Sequence, residues 1–447
     1  MPIPRHLPRA ALLLAAALLL SGCGRDPQPN ILLITLDTLR ADHVGAYGYE
    51  RATLPHLEAA LAGAVRFASA QSVTPLTAPS HGTMLTGRFP AEHGATENGF
   101  VLDAAVPTLA EILSADGYRT GGFVSARPPL GAGTGFERGF QVFSDGGHQR
   151  RAAPQVMDDV MAFLDAADGR PFFLWAHLYD IHRPYATPRD FPKAFTPGRP
   201  ALLRSIESLQ EDGVLDRDDL EFIRGRYDEG IAYVDHCLQP LWERLAREGL
   251  LETTVVVVTS DHGEELHELG HFGHNNTVYE WETRVPLWIL APGAAPRPPV
   301  EETVSLMDVF PTLLDLAGVE PAAEPAGRSL RPLLFGHAAE LRADLDARAV
   351  FSRVVMTEGK EWPVNDAAAR RGAWKLHRDP DGGDPALFDL TGHVTEIGRE
   401  NTERKDVRHG LDRDLRAWIA VQDAIQAGKG GQAIAPELKR QLEALGY

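Results

Sequence analysis

Short unbroken apolar runs alternate along most of the chain with longer segments in which apolar positions recur every three or four residues. Residues 31–36 (ILLITL), 172–176 (FFLWA), 254–259 (TVVVVT) and 286–290 (PLWIL) are runs of the first kind, and 121–124 (GGFV) is a shorter one. Such runs are strands covered on both faces, as in a parallel sheet. The second kind includes 54–66, with Leu54, Leu57, Leu61 and Val65 in helical register, then 106–113, closed by Gly117, and 307–316. The clearest is a long helix whose buried face is Ile223, Tyr227, Ile231, Val234, Leu238, Leu241 and Leu245. Asp228, Asp235 and His236 read as its solvated face or edge. This alternation predicts an α/β fold, a large mixed and mostly parallel sheet sandwiched by helices.

Near residue 346 the texture changes. Residues 349–355, 373–377 and 387–390 read as short antiparallel strands, with 379–383 (DPDGG) as the turn between the last two. Residues 411–427 and 436–447 read as helices, which makes this part a small C-terminal α+β subdomain. Residues 186–205 are rich in proline and polar groups, lack periodicity, and read as a surface excursion near the site.

With 447 residues, 44% hydrophobic and 24% charged, the chain is long enough for one large domain and a smaller one. Its formal charge of -18 argues against nucleic acid as a partner and suits an acidic enzyme with bound cations. The first residues add a location. Arg5, His6 and Arg9 precede an apolar run, 10–20, that is too short to span a bilayer and reads as a secretory signal. It ends in Leu20-Ser21-Gly22-Cys23, which resembles the bacterial lipobox, so the mature chain is expected to begin at a lipidated Cys23. Gly24 follows, where an aspartate would signal inner-membrane retention, so the expected place is the cell envelope, at the outer membrane. Residues 1–22 are then the signal, 23–28 a tether, 29–345 the catalytic domain and 346–447 the small subdomain. Once Cys23 is lipidated, Cys237 has no partner for a disulfide and reads as a small core residue.

Candidate chemistry collects where apolar runs stop. Asp37 follows 31–36 and is read equally as a helix cap or a metal ligand at a strand's carboxyl end. Asp261 and His262 follow 254–259 and offer oxygen and imidazole donors side by side, with His267, His271 and His274 just beyond. In residues 72–87 (SVTPLTAPSHGTMLTG), Thr77 stands just ahead of Pro79 and Ser80 at the start of a helix, where free N–H groups and the dipole favour an anion. Taken alone, that stretch reads as an ordinary Thr/Ser cap before it reads as a site.

Together these stretches resemble the sulfatase family of the alkaline phosphatase superfamily, over nearly all of the chain after residue 28. The motifs NILLITLDTLRAD, TAPSHGTMLTGRFP, ENGF, the segment 177–185, TSDHGEE, YEWETRVPL and RRGAWKLHRDPDGG with LFDL occur in the family's order. The resemblance implies an alkaline phosphatase-like fold and metal-dependent hydrolysis of sulfate or phosphate esters. It makes Asp37, Asp261 and His262 ligands of a divalent ion, with Thr77 as nucleophile and further ligand; Ca²⁺, Mn²⁺ and Zn²⁺ all suit such a set. It places His81 and Asn98 against substrate, and His182 and His274 where they contact the transferred group or assist the leaving group. The substrate is then a small-molecule, glycan-linked or lipid-linked anionic ester.

Two departures define the branch. Formylglycine sulfatases carry cysteine or serine where this chain has Thr77, and arginine where it has His81; a threonine gives no aldehyde. The family's Gly-Lys-x-His is also missing, with Ser125 and Arg127 in its place. A sulfated threonine would need a second hard displacement, whereas a phosphorylated one is open to water at phosphorus. Phosphate mono- or diester hydrolysis is therefore favoured. Transfer of a phosphoryl-type group to another acceptor, as in phosphoethanolamine transferases, and a non-catalytic envelope binding protein are the alternatives. Oligomeric state stays open.

Overall fold

The computed structural model describes residues 28–126, 129–147, 151–196, 215–356, 364–379, 382–392 and 395–428. The signal sequence, Cys23, the helix read at 436–447 and the second half of the 186–205 excursion lie outside these residues.

Ten strands precede the small subdomain: β1 Asn30–Leu36, β2 Val65–Gln71, β3 Arg119–Val124, β4 Val142–Ser144, β5 Phe172–Leu178, β6 Thr254–Thr259, β7 Glu265–Leu266, β8 Phe272–Gly273, β9 Arg284–Leu290 and β10 Val300–Ser305. Eight of them form one sheet in the order β10-β2-β9-β6-β1-β5-β3-β4, and β7 and β8 form a separate hairpin. Only β9 runs against its neighbours, β2 and β6. The central strands carry no polar alternation because each face meets its own core. In β1, Ile31 and Leu33 enter one core while Leu32, Ile34 and Leu36 enter the other. The helices that matter below are α1 Thr77–Thr86, α2 Ala153–Asp165, α3 Arg217–Arg247 and α4 Val309–Ala317. α3 covers one face of the sheet with all seven residues of its apolar stripe, and α4 covers the other with Val309, Phe310, Leu313 and Leu314.

Two expectations need correction, and one strand of the large sheet escaped the reading. The helix expected over 54–66 is only Pro55–Ala60, and Val65 opens β2. Val65 happens to continue a helical step from Leu61, but Val65 and Phe67 are buried with Arg66 and Ala68 less so, which is the period of a strand. β10 was not read, because VEETVS holds too few apolar residues to show a run. Asp228 and Asp235 are buried rather than solvated. Asp235 accepts the free N–H groups of His56 (2.9 Å) and Leu57 (2.8 Å) at the start of the short helix, and Asp228 accepts from Tyr49 and Arg51, both at 2.7 Å. α3 thus uses its charged edge as well as its apolar stripe. Cys237 is half-buried beside the second core.

The C-terminal part is an antiparallel sheet of β11 Val350–Met356, β12 Val364–Arg371, β13 Trp374–Arg378 and β14 Ala386–Asp389 in sequence order, closed by α5 Lys405–Gly428. β12, composed of VNDAAARR, escaped the sequence reading because its buried side chains are three alanines and an arginine. Leu411, Leu415 and Trp418 of α5 share a core with Phe351 and Leu376 and with Val73, Phe89 and Met307 of the large part. Polar groups also cross this boundary. Lys375, almost wholly buried, donates to Glu280 (2.9 Å) and Thr283 (3.1 Å) and pairs with Glu396 (2.9 Å), and Arg370 pairs with Glu280. Among the described residues no helix is long and apolar enough to cross a membrane.

Candidate active site

β1 and β6 are parallel neighbours, with Thr35 opposite Thr259, so the residues that follow them leave the sheet side by side. This sets Asp37 beside Ser260, Asp261 and His262, at the carboxyl edge where open α/β sheets bind ligands. β2 delivers the third component. After it the chain crosses to α1, whose first residue is Thr77, and the Ser80 hydroxyl donates to the Asp261 carbonyl (2.8 Å), fastening the helix start to the loop after β6.

Thr77 Oγ1 lies 3.4 Å from His262 Nε2, which is itself 3.4 Å from Asp261 Oδ2. His262 Nδ1 faces the Gly263 carbonyl at 2.9 Å and therefore carries the proton, leaving the Nε2 lone pair toward Thr77. Burial lowers the pKa of His262 to about 3, so the ring stays neutral at ordinary pH. Asp261 is fully buried, and burial pushes its carboxyl pKa up against the neighbouring His81 and its N–H donors. Its Oδ1 accepts from Thr38 N (3.2 Å) and His262 N (2.9 Å). Its Oδ2 has no hydrogen bond. The donor atoms of Asp37, Asp261 and His262 all fall within 4.8 Å of one another. Two buried carboxylates, a neutral imidazole and a hydroxyl meet around an oxygen with no hydrogen bond, which fits a hard or borderline divalent cation.

The surrounding residues hold this group in place. His177, near the end of β5, sits 3.0 Å from Asp37 Oδ2. Thr38 adopts φ 57°, a costly left-handed conformation for a branched residue, directly between Asp37 and the rest of the loop. Tyr227 of α3 secures it, donating to the Thr38 carbonyl (2.6 Å) while accepting from Arg40 N (2.9 Å). His81, within α1, is fully buried, with Nδ1 on the Thr77 carbonyl (2.8 Å), Nε2 near Thr35 Oγ1 (3.0 Å) and Asp261 Oδ2 3.6 Å away. Both its ring nitrogens are thus engaged within the protein, which gives it a positioning place. Asn98 is exposed and accepts from Ala78 N (2.8 Å), so its carbonyl caps the second residue of α1 and its amide nitrogen is the end left to donate. His182 and His274 meet with their Nε2 atoms 3.0 Å apart, and the His274 ring lies 4.4 Å from that of His262.

Of the histidine series after β6, only His274 joins the site. His271 is exposed, and His267 packs on Phe272. Sequence reasoning assigned no site role to His177, Tyr227 or Glu282. Tyr227 was legible as part of the α3 stripe, but that pattern does not show where its hydroxyl points. His177 is the one imidazole in an otherwise apolar strand, a signal that was available.

Comparison with known proteins agrees with this geometry. The family model described as Sulfatase matches residues 29–319. The arylsulfatase K of Rattus norvegicus is 25% identical over 443 residues, covering 88% of this chain and 78% of its own. The structure of the phosphonate monoester hydrolase of Silicibacter pomeroyi superposes with TM-score 0.71 at 24% identity, covering 88% of this chain and 95% of its own. A structure solved with its substrate D-glucosamine-2-N,6-O-disulfate superposes with TM-score 0.68 at 19% identity, covering 93% and 98%. The strand order, the residues gathered at its carboxyl edge and the match over 29–319 lead to one conclusion: the chain belongs to the sulfatase family of ester hydrolases.

Proposed function

We propose that this protein hydrolyses anionic phosphorus esters, phosphate mono- or diesters, with Thr77 as the nucleophile. The observation that carries the reading is the place of the Thr77 hydroxyl: first residue of α1, only 2% exposed, and 3.4 Å from the unprotonated nitrogen of His262. A divalent ion held by Asp37, Asp261, His262 and Thr77 would acidify that hydroxyl and neutralise charge on the substrate. Thr77 Oγ then attacks phosphorus, the bond from phosphorus to the leaving oxygen breaks, and the leaving group takes a proton. Water next attacks the same phosphorus, and Thr77 Oγ leaves with its proton restored. The positive end of the α1 dipole favours the charge that develops at Thr77. Asn98 offers its amide N–H groups, and the His182 and His274 pair stands where the leaving group departs.

Phosphorus is favoured over sulfur because the side chain is threonine. It forms no aldehyde hydrate, so a sulfated intermediate could not be released by collapse to a carbonyl. The relatives named for sulfate and phosphonate esters fit a site for tetrahedral oxyanions in general, and a sulfated sugar bound to one neighbour makes glycan-linked esters a reasonable substrate class. The Leu20-Ser21-Gly22-Cys23 sequence supports an envelope location on a lipid anchor. The test is a panel of matched aryl phosphate, phosphate diester, phosphonate ester and aryl sulfate. Faster turnover of the phosphorus esters is expected; an aryl sulfate turned over at least as fast would contradict the reading.

A further inference from the structure

We propose that Glu282 is a positioning residue for His274, holding its imidazole where the leaving group departs. This role rests on reading His274 as acting at the leaving group, and Glu282 is what keeps that side chain in place. His274 is half-buried and lies on residues 274–279, which are neither strand nor helix, between β8 and the four-residue helix Glu280–Thr283. Backbone of this kind directs a side chain only where other groups take up its N–H groups.

Glu282 takes them up. It is fully buried, and its Oε2 accepts from the backbone N–H groups of Asn275 (2.9 Å) and Asn276 (3.4 Å) while Oε1 accepts from the Thr277 hydroxyl (2.9 Å). Asn275, directly after His274, adopts φ 74°, a left-handed conformation that asparagine tolerates better than most residues. Successive N–H groups at such a turn converge into an anion-binding concavity. Here the anion is the protein's own carboxylate. The turn it fixes also sets the imidazole: His274 Nδ1 faces the Pro75 carbonyl at 3.1 Å, two residues before Thr77, and its Nε2 stands 3.0 Å from His182 Nε2.

The support under Glu282 is fastened on two sides. Its backbone carbonyl accepts from Gly263 N (2.8 Å), the residue after His262, and the two segments pack so closely that a Cβ on Gly263 would stand 2.0 Å from the Trp281 carbonyl oxygen. Glu280, two residues earlier, carries the ion pairs with Arg370 and Lys375 of the small subdomain. Glu282 thus ties the His274 turn to the loop after β6 and, through its helix, to the subdomain. Removing the carboxylate takes the acceptor from three donors of the turn. The left-handed Asn275 then relaxes, and the imidazole before it moves with it.

The experiment compares initial rates of the full-length protein on two esters that differ in leaving group, 4-nitrophenyl and phenyl, in whichever class, phosphate diester or sulfate, it turns over. Thermal melting checks folding. Assistance to the leaving oxygen matters most for the poorer one, phenyl. Glu282→Ala should lower kcat by about tenfold on the phenyl ester and clearly less on the nitrophenyl ester, and His274→Ala should show the same order of losses. Glu282→Gln, which keeps the volume and one acceptor oxygen, should restore part of the phenyl-ester rate. Adding Glu282→Ala to His274→Ala should cost nothing further, because both act through one imidazole. A merely stabilising glutamate would lower the melting temperature and leave the ratio of the two rates at its wild-type value. That ratio unchanged in Glu282→Ala while His274→Ala shifts it, or losses that add in the double variant, would overturn the proposal alone. An unchanged ratio in His274→Ala would overturn the leaving-group reading and the proposal with it. Should Glu282→Ala fail to fold, the rate ratio of Glu282→Gln decides in the same way.

Discussion

The Thr77 hydroxyl and the His262 imidazole, 185 residues apart in the chain, face each other at 3.4 Å with the lone pair of His262 Nε2 toward the oxygen. The contact follows from topology. β2 and β6 run in the same direction with β9 between them, so the residues after both strands leave the sheet at one edge. The Ser80 bond to the Asp261 carbonyl then fixes how deeply α1 sits.

Tyr227 positions this site without touching substrate. Tyr227→Phe removes the donor to the Thr38 carbonyl and the acceptor for Arg40 N, leaving the left-handed Thr38 less firmly held between the ligands. A stability loss of about 1–3 kcal/mol is expected. A fall in kcat of roughly tenfold, about 1.4 kcal/mol, should accompany it. Calorimetry and initial rates check both, and wild-type kcat and melting temperature together would exclude the positioning role.

Asp261→Asn should cost the protein the cation that Asp37, Asp261 and His262 share, because a neutral amide replaces the buried carboxylate whose Oδ2 has no hydrogen bond. Zinc or manganese titration followed calorimetrically reads the loss. Full stoichiometry at unchanged affinity would remove Asp261 from the ligand set.

Lys375 joins the two parts of the molecule by pairing with Glu280 and Glu396 in a buried cluster. Lys375→Met leaves Glu280 with Arg370 and Glu396 with His377 but removes the cation the two carboxylates share, and should destabilise by about 3–5 kcal/mol. Burial pushes the Glu280 pKa up, but Arg370 and Lys375 outweigh it and hold the carboxyl well below the usual range. Glu396 is likewise held low, burial being outweighed by Lys375 and His377. A lowered folded-state pKa contributes stability that is fully present above the unfolded value, near 4.5, and is lost as pH falls toward the folded one. Wild-type stability should therefore drop steeply below about pH 4.5, and Lys375→Met should flatten that slope. Identical acid slopes in the two proteins would contradict the assignment.

Cys23→Ser should release the protein from envelope membranes into the soluble fraction. Intact-mass analysis of the wild type should show acyl chains on Cys23; cleavage elsewhere without lipid would refute the anchor.

The sequence showed the large sheet well because its central strands are uninterrupted apolar runs, and it singled out Asp37, Asp261 and His262, whose donor atoms the fold brings together, because each follows such a run. β10 and β12 stayed hidden since Val300–Ser305 is largely polar and Val364–Arg371 is built on alanines, so burial there comes from what covers the strand. Asp228 and Asp235 were misread for a related reason: helical periodicity marks one face of α3, while their burial is set by loops that cross from the N-terminal part. Glu282 and the facing nitrogens of His182 and His274 depend on side-chain directions that no spacing records.

The most direct measurement is an acid quench during turnover of an aryl phosphate diester, followed by peptide mass spectrometry of residue 77. Phosphate on Thr77 is expected in the wild type and none in Thr77→Ala, whose kcat should fall by at least about a thousandfold, several kcal/mol of barrier, with the fold intact. Thr77→Ser should keep part of the activity and carry the label on the serine. Steady turnover by Thr77→Ala at a wild-type rate, with no modified residue 77 in either protein, would contradict Thr77 as the nucleophile.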